Sequence, residues 1–322
     1  MKRWMSSVGM RVIAAGQSDV GLQREHNEDS FAVLVRHGLY VVADGMGGHR
    51  AGDVASRMAT EALTAFFDST AREDATWPFQ YDPSLTAEEN RLLTGIKVAN
   101  KSVYEASARN PEHRGMGTTV VGVLVAAGTG RIYVGHVGDS RCYRVRDGEI
   151  EQLTQDHSLI NEYLRAMPDL TEAQKDELPR NVITRALGMT EGVLVDLLTD
   201  ETRPGDCYIL CSDGLSGMIS DAEIHQSVAA HEDPEDACRD LIRRANDRGG
   251  EDNVTAVVVR VVDENAPPAR RSPPDPGATE GTGEVTREVA RPVVPARPAA
   301  VALHEAPADD DTLPGTGNRV VD

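Results

Sequence analysis

The strongest constraint on the fold is the order of the strand-like and helix-like runs, which come in blocks and do not alternate. Runs 33–35 and 39–43 are short and β-rich, and they flank Arg36-His37-Gly38, a hairpin signature. Residues 51–67 have helical spacing, with Ala55, Ala59, Ala62, Leu63 and Phe66 on one side, and 92–108 reads as a second helix. Next come strand-like runs at 118–126, 131–137, 141–145 and around Ile150, parted by Gly128-Thr129-Gly130 and Asp147-Gly148. A strand at 207–211, helices at 221–230 and 234–248 and a last strand at 254–262 complete the order. A parallel sheet needs a crossover between successive strands, so blocks point to a layered α+β domain.

The composition changes near residue 263. Ten of the 17 prolines lie from there to the end, in a stretch too poor in bulky apolar groups to offset its ordering entropy. The expected organisation is therefore a folded domain at 1–262 and a disordered Pro/Ala/acid-rich tail at 263–322. Lys and Arg number 33 against 52 Asp and Glu, a net charge of -19. That balance argues against nucleic acid and anionic lipid as partners, both being polyanions. No apolar run reaches the roughly 18–20 residues that span a bilayer. Ser6, Ser7 and Arg11 interrupt any signal-peptide core, so the expectation is a cytoplasmic protein. Cys142, Cys207, Cys211 and Cys238 lack zinc-ligand pairing and read as buried free thiols.

Four Asp-containing segments stand at the ends of apolar runs: Val41-Val42-Ala43-Asp44-Gly45, Gly135-His136-Val137-Gly138-Asp139-Ser140, Ile209-Leu210-Cys211-Ser212-Asp213-Gly214, and Gly250-Glu251-Asp252-Asn253. A strand end holds a side chain rigidly, and a following glycine lets the backbone turn and frees its carbonyl. Carboxylates fixed in this way repel one another and converge only around a cation. All-oxygen ligands favour Mg²⁺ or Mn²⁺ over Zn²⁺. Any one of these segments alone is an ordinary Asp-Gly turn. A fifth segment, Arg24-Glu25-His26-Asn27-Glu28-Asp29, adds a guanidinium able to fork onto phosphate. Glu28 and Asp29, adjacent in extended chain, point to opposite faces, so one can approach a metal site while the other orients water.

Together, Arg24-x-x-Asn27-Glu28-Asp29, Ala43-Asp44-Gly45-Met46-Gly47-Gly48-His49, Gly115-Met116-Gly117-Thr118-Thr119, Val137-Gly138-Asp139-Ser140-Arg141, Ser212-Asp213-Gly214 and Asp252-Asn253 resemble the ordered motif set of the metal-dependent protein phosphatases. This is the type 2C serine/threonine phosphatase family, and the bacterial members are the nearest in pattern. The resemblance runs from about residue 13 to 262. It implies a four-layer αββα sandwich with two central antiparallel β-sheets and a metal cleft at one end. It implies that Asp44 bridges two Mn²⁺ or Mg²⁺ ions, that the Gly45 carbonyl binds one of them, and that Asp213 and Asp252 bind the other. Asp139 joins Asp213 on a weaker third ion, Glu28 and Asp29 hold metal-bound waters, and Arg24 binds the substrate phosphate.

The chemistry so implied is coherent. Two metals about 3.5–4 Å apart can generate hydroxide near neutral pH for in-line attack on phosphorus. The charge developing on the equatorial oxygens is met by the metals and Arg24. Met46 stands where eukaryotic members carry a histidine and has no proton to give; His49 is three residues on, at a different spacing. Residues 156–187 resemble the family's flap, which could read the peptide around a phosphoresidue. The expected partners are phosphoserine and phosphothreonine proteins and a bacterial serine/threonine kinase whose action this monomer reverses. Two alternatives stay open: a hydrolase of small phosphoesters, and a phosphatase-like module that binds without turnover.

Overall fold

The computed structural model describes residues 9–47, 51–71, 78–126, 128–167, 171, 174, 178–179 and 182–267, and the strands 285–289 and 319–321. The chain runs β1 (Met10–Asp19), β2 (Asp29–Leu34), β3 (Leu39–Met46), α1 (Ala51–Ser69), α2 (Ala87–Arg109), β4 (Gly117–Thr118), β5 (Val120–Ala126), β6 (Arg131–Val137), β7 (Arg141–Arg146) and β8 (Glu149–Gln152). It continues with α3 (Leu159–Ala166), β9 (Val195–Glu201), β10 (Cys207–Cys211), α4 (Asp213–Ser216), α5 (Asp221–Ala230), α6 (Pro234–Asp247), β11 (Val254–Asp263), β12 (Val285–Val289) and β13 (Arg319–Val321).

The strands form two antiparallel sheets, ordered β12-β1-β11-β10-β7-β8 and β13-β9-β6-β5-β3-β2, with the short β4 beside β3. Side chains alternate across each strand, so each sheet has two apolar faces to cover. Tyr40, Val42, Val121, Val123, Tyr208, Leu210, Val257 and Val259 fill the space between the sheets. Leu39, Val41, Val120 and Leu124 point the other way, onto Ala55, Leu63, Leu92 and Ile96 of α1 and α2. Ile209, Val254, Ala256 and Val258 pack on Ile224, Val228, Leu241 and Ile242 of α5 and α6. The result is the four-layer αββα sandwich expected from the motifs. All four cysteines are free and buried. No helix among the described residues is long and apolar enough to cross a membrane.

Three departures from the sequence reading have physical causes. Strands β1 and β9 carry weak β signals and are absent from it. The middle of β1 is Ala14-Ala15-Gly16, and a Cβ on Gly16 would stand 2.6 Å from the Phe31 ring of the facing sheet, so small residues make room there. In β9 an acidic residue, Asp196, is buried for reasons given below. Helix α2 starts five residues before the first periodic residue, because Thr86 and Glu89 form a reciprocal capping box. The expectation of a structureless tail falls mostly outside the described residues; within it, β12 and β13 pair with the edge strands β1 and β9.

Candidate active site

Strand register brings the carboxylates together. Cys211, the last residue of β10, pairs with Arg141 on one side and Ala256 on the other. Asp139, Asp213 and Asp252 all lie within four residues of that row, so they share one end of the first sheet. In the second sheet Asp29 of β2 is the direct cross-strand partner of Asp44 of β3. Hydroxyls stitch the two sheet ends to each other: Thr255 Oγ1 and Ser212 Oγ donate to Asp29 Oδ2 at 2.6 and 2.8 Å. The eight residues singled out from the sequence, Arg24, Glu28, Asp29, Asp44, Gly45, Asp139, Asp213 and Asp252, are therefore gathered at one end of the sandwich.

Several of them are held by backbone and hydroxyl contacts. The Asp44 N–H donates to Thr119 Oγ1 at 3.0 Å, while Thr119 N–H and Thr118 Oγ1 both donate to the Asp44 carbonyl at 2.8 Å. Thr119 Oγ1 is also 2.7 Å from Ser140 Oγ, linking the Asp44 strand to the Asp139 turn. Asn253 anchors the Arg24 loop: its Oδ1 accepts from Glu28 N–H at 2.8 Å and its amide donates to the Val20 and His26 carbonyls at 2.9 Å. Arg24 Nη2 reaches Asp252 Oδ2 at 2.6 Å on the exposed rim. As expected for neighbours in an extended strand, Glu28 faces away from Asp29 and lies against Gly52 in the first turn of α1.

Asp44-Gly45 is a strand segment, not the turn the sequence led us to expect: β3 continues through it, pairing Gly45 with Thr118 and Met46 with Gly117. Glycine is needed for close approach, since a Cβ there would lie 2.1 Å from the Gly52 carbonyl oxygen and 2.6 Å from that of Glu28. The Asp139 segment is a true turn, with Gly138 at φ +109. Asp213-Gly214 opens the short helix α4. His49 lies outside the described residues. The hydroxyls of Thr119, Ser140, Ser212 and Thr255 were given no role from the sequence; Ser140 and Ser212 adjoin motif acids and Thr119 ends the 115–119 motif, which was the available signal.

The electrostatics are those of crowded anions. Burial, and then the charges of Asp29, Asp213 and Asp139, push the Asp44 pKa well above the ordinary carboxylate range. Asp29 rises to about 7, through burial and despite the two hydroxyl donors. Asp139 also rises to about 7, through burial and the charges of Asp213 and Asp156. Asp213 is raised by burial and by Asp252. Asp29 Oδ1 and Asp139 Oδ1 are buried without a hydrogen-bond partner. Buried polar atoms are almost always satisfied, so unpartnered acceptors beside mutually repelling carboxylates fit a divalent-cation site. All-oxygen donors on rigid backbone suit Mg²⁺ or Mn²⁺.

Comparison with known proteins agrees with this geometry. Residues 22–258 match the family model described as Protein phosphatase 2C. The chain is 36% identical over 249 residues to the serine/threonine phosphatase stp of Listeria innocua, covering 76% of this chain and 93% of that protein. It is 38% identical over 259 residues to the serine/threonine protein phosphatase PstP of Mycobacterium tuberculosis, covering 80% of this chain and 47% of that one. Among solved structures, the catalytic domain of PstP in complex with two manganese ions superposes with a TM-score of 0.67 at 34% identity, over 79% of this chain and all of that one.

Proposed function

The chain belongs to the protein phosphatase 2C family, and on that premise we propose that it is a metal-dependent serine/threonine protein phosphatase of the bacterial type. The observation that carries this reading is the buried cluster of Asp29, Asp44, Asp139 and Asp213, in which burial and neighbouring carboxylates raise each pKa. In this reading Asp44, the Gly45 carbonyl, Asp213 and Asp252 hold two Mn²⁺ or Mg²⁺ ions, and Asp139 with Asp213 holds a weaker third. Bound there, such ions acidify water and offset the phosphate's negative charge.

The chain's own residues do the rest. Asp44 is fixed at its N–H and carbonyl by Thr118 and Thr119, so its carboxylate is preorganised on β3. Asp29, held by Ser212 and Thr255, and Glu28, held at the start of α1, accept hydrogen bonds from water and orient it. Arg24 swings from Asp252 to fork onto two phosphate oxygens, placing the phosphorus in line with the attacking water. The water oxygen–phosphorus bond forms as the phosphorus–serine or –threonine oxygen bond breaks, and the leaving oxygen takes a proton. Met46 cannot supply it, so water does.

The folded domain of 1–262 carries the activity in this reading. The cytoplasmic monomer reverses a serine/threonine kinase. The test is hydrolysis of a phosphothreonine peptide with Mn²⁺, with EDTA, and with Asp44→Ala. Turnover that requires both the ion and Asp44 is the expected result. A folded, Mn²⁺-binding chain without turnover would overturn the enzymatic reading in favour of a binding module.

A further inference from the structure

A second cluster of titratable side chains lies behind the carboxylates. His136 on β6, His157 after β8 and Asp196 on β9 are all buried, at 2%, 4% and 5% exposure. Their ligand atoms lie within 4.8 Å of one another, close enough for a metal. The ring geometry opposes one. The two imidazoles are stacked, 4.6 Å apart and only 16° from parallel. Nitrogen lone pairs lie in the ring plane, so one ion cannot be in line with both. Moreover, His136 Nε2 is 2.9 Å from the Gln155 carbonyl, and Asp196 Oδ1 already accepts from Arg185 at 2.5 Å.

The bonds that do form point elsewhere. The Gly138 N–H donates to His157 Nδ1 at 3.0 Å, and the His157 N–H donates to the Gly138 carbonyl at 2.9 Å. His157 thus grips both polar groups of the residue immediately before Asp139. Because Nδ1 accepts, the ring proton is on Nε2, which stands 3.4 Å from Asp196 Oδ1 without making a hydrogen bond. Burial alone would raise the Asp196 pKa, yet His157 and Arg185 hold its carboxyl at about 2. Arg185 closes the 156–187 segment, and the Thr184 N–H donates to the His157 carbonyl at 2.8 Å. At the other flank, Arg141 forks onto Asp156 with three contacts of 2.7–3.1 Å.

We propose that His157 is a positioning residue for Asp139: its Nδ1, accepting from the Gly138 N–H, fixes the turn before Asp139, while its carbonyl, accepting from the Thr184 N–H, joins it to the end of the 156–187 segment. This rests on the reading of Asp139 as holder of the weak third ion. Gly138 has φ +109 and packs on Thr119, where a Cβ would lie 2.6 Å away, so only glycine fits this turn, and the acceptor at its N–H holds it in place. Side chains that orient a ligand from behind commonly change metal affinity by about 10–100-fold when lost.

Two variants divide the two halves of the ring. Asn places an acceptor where Nδ1 stands, and Gln places a donor where Nε2 stands. In full-length protein, Mn²⁺ binding followed by electron paramagnetic resonance is expected to show the weakest site lowered about tenfold or more in His157→Gln. His157→Asn stays near wild type, and Asp139→Asn lacks that site. Equal Mn²⁺ affinities in wild type and both His157 variants would overturn the proposal. An unchanged weak site in Asp139→Asn would instead remove the third-ion reading beneath it, whatever turnover shows. A measurement on the unmutated chain needs no variant to fold. In the Mg²⁺-loaded, ¹⁵N-histidine-labelled protein, long-range ¹H–¹⁵N spectra should show His157 protonated at Nε2 and bare at Nδ1. The opposite tautomer would overturn the assignment.

Discussion

Replacing Asp139 by Asn removes a buried charge from the metal-free protein without changing the shape of the side chain. Asp139 is raised from an ordinary 3.8 to about 7, by burial and by Asp213 and Asp156, and its Oδ1 has no hydrogen-bond partner. Between those pH values the folded chain binds a proton at this site that the unfolded chain has released. Stability in EDTA must therefore fall as pH rises through that window, and it is already lost above it. At about 1.4 kcal/mol per pH unit, the loss approaches about 4 kcal/mol above pH 7. Asn cannot ionise and escapes it. In EDTA the two proteins should unfold alike below about pH 4, and Asp139→Asn should be the more stable by about 4 kcal/mol at pH 8. For a domain of this size that is about 10 °C in Tm. Saturating Mn²⁺ should narrow or invert the order, because an ion stabilises the carboxylate it binds. Thermal melts at pH 4.5 and pH 8, with EDTA and with Mn²⁺, measure all of this. Superimposable wild-type and variant melts at both pH values in EDTA would refute the reasoning, since they would mean that Asp139 carries no buried charge.

Three further outcomes follow from the geometry. Arg24→Ala removes the phosphate fork and should lower kcat/KM for a phosphothreonine peptide by about 10–100-fold, the worth of a charged hydrogen bond, while Mn²⁺ binding by calorimetry is kept because Asp252 loses only a rim ion pair. Gly45→Ala drives a methyl into the Gly52 and Glu28 carbonyls; it should cost about 1–3 kcal/mol in urea unfolding and weaken Mn²⁺ binding as the strand shifts. Asn253→Ala deletes three hydrogen bonds to the Arg24 loop and should lower stability by about 2–3 kcal/mol, with faster proteolysis at residues 20–28 as the local readout.

Much of the fold was legible because its signals are local. The hairpin around Gly38 is set by a left-handed glycine after one turn of 3-10 helix, at φ +65. The strands at 131–137 and 207–211 and the helix at 221–230 were read with their observed bounds, since each is a periodic run between clear breakers. Strand β1 was illegible because Ala14-Ala15-Gly16 has no β signature of its own; Gly16 is small to fit under Phe31, fifteen positions away in sequence. Asp196 was passed over for the opposite reason. An acidic residue in a strand reads as solvent-facing, and its burial makes sense only beside His157 and Arg185.

The same division holds for the site. The sequence alone determined which residues carry the chemistry: an arginine before a run of acids, and aspartates at strand ends next to glycine, are chemical identities that no folding step changes. The tertiary structure decided what those residues are to one another. Gly45 is required by the Gly52 carbonyl and not by a turn, Asp29 faces Asp44 across a strand pair, and the Asp139 turn is gripped by a histidine nineteen residues beyond Gly138. Repulsion among carboxylates and a single acceptor at a turn N–H both act over a few ångströms of space, and distances between segments remote along the chain exist only once the sheets have paired.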